Sequence, residues 1–252
     1  MLKRRVIPLE LFRGQRLVKT VRFGEGRDVG DPVKSSQVYS DQDADELIVL
    51  NIDGPNGDFD EFTRTVSRIA SCCFVPLAVG GGIRKEGHAD ALFAAGADKV
   101  VVNTVAYENP QVVTQIANKY GSQAVVAGVD YSGDAEGLLL LSAGGRSVEK
   151  ATLPNHLANL KSAGAGEIML QSVDRDGEMA GYDLFLLREV AAQVSMPLII
   201  AGGAGSFMDL ENAFAAGADG AACGSLFNFG DNNPLRAKAF LKNRGVCVKQ
   251  IG

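Results

Sequence analysis

The sequence has few cysteines, no long apolar run and no excess of basic residues. Its four cysteines include the adjacent pair Cys72 and Cys73 but no second pair at metal-ligand spacing, which argues against a disulfide framework and against a zinc site. No apolar run approaches the roughly 18 residues that span a membrane. We therefore expect a reduced, cytoplasmic protein that binds no metal or cofactor and does not enter a membrane.

Charge and length exclude further classes of protein. The chain has 25 Lys and Arg against 30 Asp and Glu, a net charge of −5, and no basic block, which argues against nucleic acid as a partner. A small anionic ligand needs only a local site and remains open. The 252 residues, 46% of them hydrophobic, suffice for one large α/β domain or two ordinary ones. Both histidines, His88 and His156, fall inside predicted helices, away from the expected site, and receive no catalytic role.

The chain repeats itself. Residues 75–82, VPLAVGGG, return 121 positions later as residues 196–203, MPLIIAGG, and the segment AAGAD at 94–98 returns unchanged at 215–219. The same offset places Glu46 on Glu167. Two half-length units of like structure are therefore predicted.

Each half alternates short apolar runs with longer segments whose apolar residues recur at spacings of three and four, a pattern that predicts parallel strands joined by crossover helices. The predicted strands are residues 5–11, 46–52, 76–79, 99–103, 124–130, 167–173, 198–201 and 220–224. The predicted helices are residues 31–40, 61–71, 87–95, 110–120, 154–163, 183–194, 208–216 and 234–242. We predict an α/β fold, a closed (β/α)8 TIM barrel with a twofold half-barrel repeat, forming a single domain over residues 1–252. An open doubly wound sheet is the alternative, but the repeat divides eight units more naturally into a closed barrel.

Glycine-rich turns follow the third and seventh predicted strands, at the end of the barrel where chemistry is expected. Glycines let backbone amides approach a ligand, and a helix N-terminus just downstream adds donors and a favourable dipole. The alternative is that these glycines only permit tight turns. We predict two phosphate sites related by the repeat, formed by Gly81, Gly82, Asn103 and Thr104 in one half and by Gly202, Gly203, Ala204, Gly224 and Ser225 in the other.

Carboxylates form a second group at the same strand ends. Asp130 ends the fifth predicted strand, Asp174 and Asp176 follow the sixth, and Asp53 follows the second. A carboxylate at such a rim can take or give a proton if a substrate group comes within reach. Each could equally be a helix cap or a member of a loop ion pair.

Charged residues begin four predicted strands: Arg5, Glu46, Lys99 and Glu167. In a barrel such positions can point into the lower end of the core, where unpaired charges would be costly and two of each sign could close a ring. From the residues alone, a purely stabilising plug remains as plausible as a functional ring.

Over essentially its entire length the sequence resembles the HisF family, the cyclase subunit of imidazole glycerol phosphate synthase. The related isomerase of the same pathway shares the doubled barrel, but two segments here, GSQA and DRDG, look more like the cyclase. The supporting segments are residues 16–19, 27–33, 79–83, 96–100, 121–125, 174–177 and 181–183.

The resemblance implies an enzyme that accepts ammonia from a separate, HisH-like glutaminase subunit docked under the barrel and passes it to a phosphorylated small-molecule substrate at the top. It implies that the four charges above gate this route. It further implies that Asp98 and Gln123 belong to the partner interface at the bottom, and that Lys19 lies on a mobile first loop that closes over the ligand.

One residue that the resemblance leads us to expect is missing. The family uses two aspartates, ending the first and fifth strands, as general acid and base; Asp130 matches the second, but the first falls on Leu11. Strand alternation puts Glu10 on the opposite face from Leu11, so Glu10 cannot replace the aspartate without a bulge or register change. The pocket wall also departs from the family's usual Asp, Ser and Thr at Asn51, Val101 and Gln171.

These departures resemble a branch of HisF-like proteins found with surface-polysaccharide (lipopolysaccharide) genes. The leading hypothesis is a synthase subunit of a two-component glutamine amidotransferase that delivers ammonia to a phosphorylated sugar or nucleotide-sugar, with Asp130 in proton transfer and Asp176 in support. The second is the ordinary histidine-pathway cyclase, with Glu10 displaced into the missing acid's place. The third is a noncatalytic ammonia conduit whose chemistry happens on another protein.

Overall fold

Eight parallel strands close into a barrel in the computed structural model, which describes residues 3–54, 57–133 and 137–249. The strands are β1 (Arg5–Arg13), β2 (Arg16–Lys19), β3 (Arg27–Gly30), β4 (Leu47–Asn51), β5 (Leu77–Gly80), β6 (Lys99–Val102), β7 (Val125–Ser132), β8 (Leu139–Ser142), β9 (Ser147–Val148), β10 (Glu167–Ser172), β11 (Leu198–Ala201) and β12 (Gly220–Cys223). The barrel order is β1, β4, β5, β6, β7, β10, β11 and β12, and β12 pairs with β1 to close it. The predicted fold class is confirmed, whereas the extent of a single domain over 1–252, which reaches beyond the described residues, stays a prediction.

Helices cover the outside of the barrel. They are α1 (Pro32–Asp41), α2 (Phe59–Ala70), α3 (Glu86–Ala94), α4 (Thr104–Glu108), α5 (Pro110–Tyr120), α6 (Leu153–Ala163), α7 (Leu184–Gln193), α8 (Phe207–Ala215), α9 (Ser225–Asn228) and α10 (Pro234–Asn243). Several begin where a side chain caps the first turn; Asp31, Asp58 and Asp183 each accept a hydrogen bond from a backbone N–H three residues on. None of the described helices is both long and apolar enough to cross a membrane.

Two antiparallel hairpins extend the barrel beyond the predicted strands. The first, β2–β3, folds back on the end of β1, and the second, β8–β9, folds back on the end of β7. Their strands are two to four residues long, too short for a hydrophobic period to be recognised in the sequence. The short helices α4 and α9, at equivalent places in the two halves, were missed for the same reason.

Strand alternation divides the apolar core into two parts. Along β1, Ile7 and Leu9 point into the barrel, while Val6 and Phe12 pack against the surrounding helices. The inner cluster consists of Ile7, Leu9, Ile48, Ala78, Val101, Val126, Met169, Ile199, Ala201 and Ala222. Among the described residues, apolar side chains therefore fill the middle of the barrel.

The predicted internal repeat is visible in local hydrogen bonds. Asp98 accepts a hydrogen bond from the backbone N–H of Leu77 at 2.8 Å, and its repeat mate Asp219 accepts one from Leu198 at 3.1 Å. Each carboxylate thus joins the amino ends of two neighbouring strands at the bottom of the barrel. The two halves use the same contact because the same residues recur at the same offset.

Candidate functional site

The carboxyl ends of the barrel strands surround two cavities of very different size. The first-half cavity, beside the turn after β5, has a volume of about 490 Å³. The second-half cavity, beside the turn after β11, has about 20 Å³. Of the residues predicted to bind phosphate, the larger cavity is lined by Gly81, Gly82, Asn103 and Thr104, and the smaller by Gly202, Gly203, Ala204, Gly224 and Ser225.

Both glycine turns are required by the backbone. Gly81 has φ +95°, and a Cβ there would collide with the carbonyl oxygen of Asn51. Gly202 has φ +84°, and a Cβ there would collide with the carbonyl oxygen of Ser172. The tight-turn explanation therefore holds for these two positions. Gly82 also has a positive φ, +78°, but a Cβ there would meet no backbone atom, since the nearest atom is 3.7 Å away, in Phe59.

Asp130 is the buried carboxylate of the open cavity. It lies near the end of β7, where Nδ2 of Asn103 donates a hydrogen bond to its Oδ2 at 2.8 Å. Burial raises the pKa of Asp130 to about 7, and the charge of Asp176 adds to the effect, against the hydrogen bond from Asn103. The other side-chain atom of Asn103, Oδ1, is buried without a hydrogen-bond partner among the described residues. The pair thus offers a group that titrates near neutral pH and a free acceptor beside it.

Leu11 and Glu10 lie on opposite sides of β1. Leu11 lines the cavity, whereas Glu10, 1% exposed, accepts a hydrogen bond from the hydroxyl of Ser36 on α1 at 2.8 Å. The pairing of β1 with β4 runs without a bulge from Leu9 to Phe12. The idea that Glu10 moves into the place of the missing aspartate is therefore wrong for this structure, because regular pleating holds it outside the barrel.

Lys19 fills the second-half cavity. Its ammonium group donates a hydrogen bond to the carbonyl oxygen of Leu9 at 2.5 Å, and a Cβ at Gly224 would collide with it. Burial lowers the pKa of Lys19 to about 8, partly opposed by the charge of Asp176. Asp176 in turn accepts a hydrogen bond from the hydroxyl of Thr20 at 2.8 Å, and burial raises its pKa. Hairpin β2–β3 is thereby held across the second-half turn.

Two further predicted carboxylates hold loops. Asp174 accepts hydrogen bonds from the backbone N–H of Gly133 at 2.7 Å and from the hydroxyl of Ser132. Its repeat mate Asp53 accepts one from the backbone N–H of Gly14, also at 2.7 Å. Both therefore fix the turn that follows a barrel strand, which is the loop role weighed in the sequence.

The four strand-start charges form a closed ring inside the bottom of the barrel. Arg5 donates hydrogen bonds to Glu46 at 2.6 Å and to Glu167. Lys99 contacts Glu46 at 3.0 Å and Glu167 at 2.8 Å. Each cation therefore bridges both carboxylates, and all four charges are paired where burial would make a lone charge costly.

Asp98 and Gln123 lie on the same end of the barrel as this ring. Asp98 directly precedes β6, and Gln123 lies in a short 3-10 turn, Ser122–Ala124, just before β7. Both side chains belong to exposed residues. Their position suits a surface that contacts a partner.

Several residues near the open cavity were missed by sequence reasoning. His88 is closer to the rim than predicted: it lies in the first turn of α3, and its Nδ1 is 3.1 Å from the carbonyl oxygen of Gly82. Arg84 could have been found, because it lies two residues after the last glycine of a glycine turn. Arg13 and Arg146 lie at hairpins that the pattern did not predict, and they too line this cavity.

Fold and site together define a doubled (β/α)8 enzyme barrel with its polar site at the carboxyl ends of the strands. Residues 5–233 match the family model described as histidine biosynthesis protein. The chain is 40% identical over 247 residues, 97% of its length and 98% of the relative's, to imidazole glycerol phosphate synthase subunit HisF of Pyrobaculum aerophilum. It is 38% identical over 250 residues, 99% of its length and 100% of the relative's, to the same subunit of Chlorobium phaeobacteroides. The chain belongs to the HisF family. The predicted family and the predicted enzyme class are thereby confirmed.

Proposed function

We propose that this protein is the cytoplasmic, ammonia-accepting synthase subunit of a two-component glutamine amidotransferase that acts on a phosphorylated sugar or nucleotide-sugar. The observation that carries the proposal is that Asp130 and Leu11 line the same cavity. A buried carboxylate that titrates near neutral pH lies near the end of β7, whereas β1 lines the cavity with Leu11 and Arg13, neither of which can transfer a proton at neutral pH. Chemistry that needs one proton-transfer group fits this site better than chemistry that needs two.

Asp130 serves as the proton-transfer group. With a pKa near 7 it is partly protonated and partly ionised at neutral pH, so it can take a proton from an attacking nitrogen or give one to a leaving oxygen. Asn103 orients it through the 2.8 Å hydrogen bond, and the free Oδ1 of Asn103 accepts a hydrogen bond from the substrate. Asp176 has a supporting role, since it holds Thr20 and lies near Lys19.

Ammonia reaches this cavity through the barrel. A HisH-like glutaminase docks at the bottom, beside Asp98 and Gln123, and the charged ring gates the entrance. Above the ring the barrel is filled by apolar side chains, which neutral ammonia crosses at much lower cost than ammonium. The phosphate group binds at the glycine turn and at Asn103 and Thr104.

A second candidate function is the cyclase subunit of imidazole glycerol phosphate synthase. It is favoured by the two relatives of that name, which match the chain over nearly its full length. A cyclase built on this site would have to work without a carboxylate at the end of β1, because Glu10 faces α1.

One assay separates the two candidates. The purified protein is incubated with the cyclase's ribulosyl substrate and ammonium at high pH, and the imidazole product is measured. We expect no product from the natural protein, and product from Leu11→Asp. Leu11→Asn, which has a similar shape but cannot transfer a proton, is the control and should stay inactive. Imidazole product from the natural protein would establish the cyclase and refute the leading proposal.

The gate is tested by Lys99→Ala. Removal of this ammonium group should change glutamine-dependent turnover in the complex with the glutaminase, while turnover with free ammonium stays within about twofold, since the site chemistry is untouched. An equal effect in both assays would refute the gate.

A further inference from the structure

Three arginine side chains converge on the open cavity from separate parts of the chain. Arg13 ends β1, Arg84 follows the glycine turn after β5, and Arg146 lies in the turn between β8 and β9. Arg13 is half-buried, and the other two are exposed. The hairpins and the glycine turn bring these three arginines to one cavity, although they are more than sixty positions apart in the sequence.

None of the three has a carboxylate partner in residues 3–54, 57–133 and 137–249. No ion pair joins them to any described acidic residue, although the protein as a whole carries a net charge of −5. Among the described residues that line the cavity, Glu108 is the exposed carboxylate, and it makes no ion pair with them. Like charges gathered in one cavity repel, so this arrangement favours an anionic ligand.

The open cavity offers more positive charge than one phosphate needs. In this structure the second-half cavity has about 20 Å³ and holds the ammonium group of Lys19. A single phosphate at Gly82 would find enough hydrogen-bond donors in the backbone N–H groups and in Thr104. The three guanidinium groups would then have no phosphate oxygen to bind. One guanidinium group binds two phosphate oxygens at once through two parallel N–H donors. Three such groups therefore match two adjacent phosphates.

We propose that the open cavity binds a diphosphate ester, with Arg13, Arg84 and Arg146 on its two phosphates. This inference rests on the proposed function, because the ester is then the acceptor of ammonia. A volume of about 490 Å³ lies within the range of small-molecule sites, which is roughly 300 to 1,000 Å³.

Phe23 supplies a place for a planar group on this ester. It lines the same cavity, and its ring packs so close to the second hairpin that a Cβ at Gly145 would lie 3.2 Å from Cδ2. Aromatic rings stack on any nucleobase, because every base has a π-face. A nucleoside diphosphate therefore gains a contact that inorganic pyrophosphate lacks.

Calorimetric titration of the intact protein with ADP, UDP, inorganic pyrophosphate and orthophosphate tests the inference. We expect the three diphosphates to bind at least about tenfold more tightly than orthophosphate, and Arg84→Ala or Arg146→Ala to weaken the diphosphates about tenfold or more, the loss of one charge-assisted hydrogen bond. Arg188→Ala, which removes an exposed guanidinium group on α7, is the control and should change nothing. Orthophosphate binding as tightly as the diphosphates, or unchanged affinity in Arg84→Ala and Arg146→Ala, would overturn the proposal.

Phe23→Leu distinguishes a nucleoside diphosphate from other diphosphate esters. It should weaken ADP and UDP about tenfold and leave pyrophosphate unchanged. Unchanged ADP and UDP affinity would overturn the stacking contact. These titrations use no ammonia or glutamine, so their outcome does not depend on whether the proposed function is correct. Diphosphate binding without ammonia-dependent turnover would refute only the proposed function; turnover of a sugar monophosphate without diphosphate binding would refute only this inference.

Discussion

The two half-barrels carry the same glycine turn but present different sites. In the first half the turn opens on about 490 Å³ of space bordered by Asp130; in the second it faces about 20 Å³ filled by the ammonium group of Lys19. Both turns need glycine for the same steric reason. The repeat thus preserves the backbone of the two turns, whereas the segments that cover them decide which one is accessible.

Those covering segments are the two hairpins, and each reaches the other half of the barrel. Hairpin β2–β3 leaves the first half and lies over the second-half turn, where the backbone N–H of Arg22 donates to the carbonyl oxygen of Asp176 at 2.9 Å. Hairpin β8–β9 leaves the second half and lies by the first-half turn, where the N–H of Ala143 donates to the hydroxyl of Thr104 at 3.0 Å. Hairpin β2–β3 places Lys19 in the second-half cavity, whereas hairpin β8–β9 places no lysine in the first-half cavity.

The strand ends below these hairpins differ in the same way. Leu11 pairs with Val18 in the first hairpin, and Asp130 pairs with Leu141 in the second. Equivalent positions thus carry an apolar side chain in one half and an ionisable one in the other. Four experiments test this difference between the two half-barrels.

The largest expected effect is on turnover. Asp130→Asn should lower ammonium-dependent turnover about 100-fold or more, because positioned proton transfer contributes roughly that much. Glu10→Gln is the matched control: Glu10 is also buried and its pKa is also raised by burial to about 7, but it lies outside the barrel, so turnover should persist. Unchanged turnover in Asp130→Asn would favour a noncatalytic conduit.

The glycine turns should be equally sensitive despite their different cavities. Gly81→Ala and Gly202→Ala should each lower the free energy of unfolding by about 3 kcal/mol, since each adds a backbone collision at positive φ. Gly87→Ala, in α3 with nothing near the new Cβ, should be neutral or stabilising by about 0.5 kcal/mol. Chemical denaturation measures all three. A loss in one turn alone would break the equivalence of the halves.

Asp130 should also make stability depend on pH. Because burial raises its folded-state pKa to about 7, the folded protein keeps a proton that the unfolded chain loses above pH 4, so this carboxyl group lowers stability as the pH rises from 4 to 7. Asp130→Asn should therefore stabilise the protein by about 4 kcal/mol more at pH 8 than at pH 4. If the free energies of unfolding of Asp130→Asn and of the natural protein changed with pH in parallel, Asp130 would not be a buried carboxyl group that stays neutral in the folded protein.

Lys19 should show the opposite and smaller pH dependence. Its folded-state pKa is lowered to about 8 by burial, so its contribution to stability rises with pH between 8 and the ordinary lysine pKa. The stability of Lys19→Met relative to the natural protein should be about 1 to 2 kcal/mol greater at pH 7 than at pH 10. A constant difference across this range would place the ammonium group in solvent and leave the second cavity open.

Most of the barrel and part of the site could be predicted from the sequence. The eight strands and the inward face of β1 follow from patterns within a dozen residues, and the repeat follows from segments that recur 121 positions apart. The ring charges and a ring of mutual pairs were predicted because each charge begins a strand of a closed barrel, yet which cation meets which carboxylate was not, since Arg5 and Glu167 are 162 positions apart. His88 was misplaced because a helix pattern does not show how far back toward a loop its first turn reaches.

Which residues face the barrel interior and which strand end lacks a carboxylate could be predicted from the amino-acid order alone, because strand alternation acts between near neighbours. The contact of Lys19 with Gly224 and the meeting of three arginines at one cavity depend on the folded chain. Those contacts depend on how two short hairpins fold across the barrel, and the energies that select such a fold come from residues far apart in the chain.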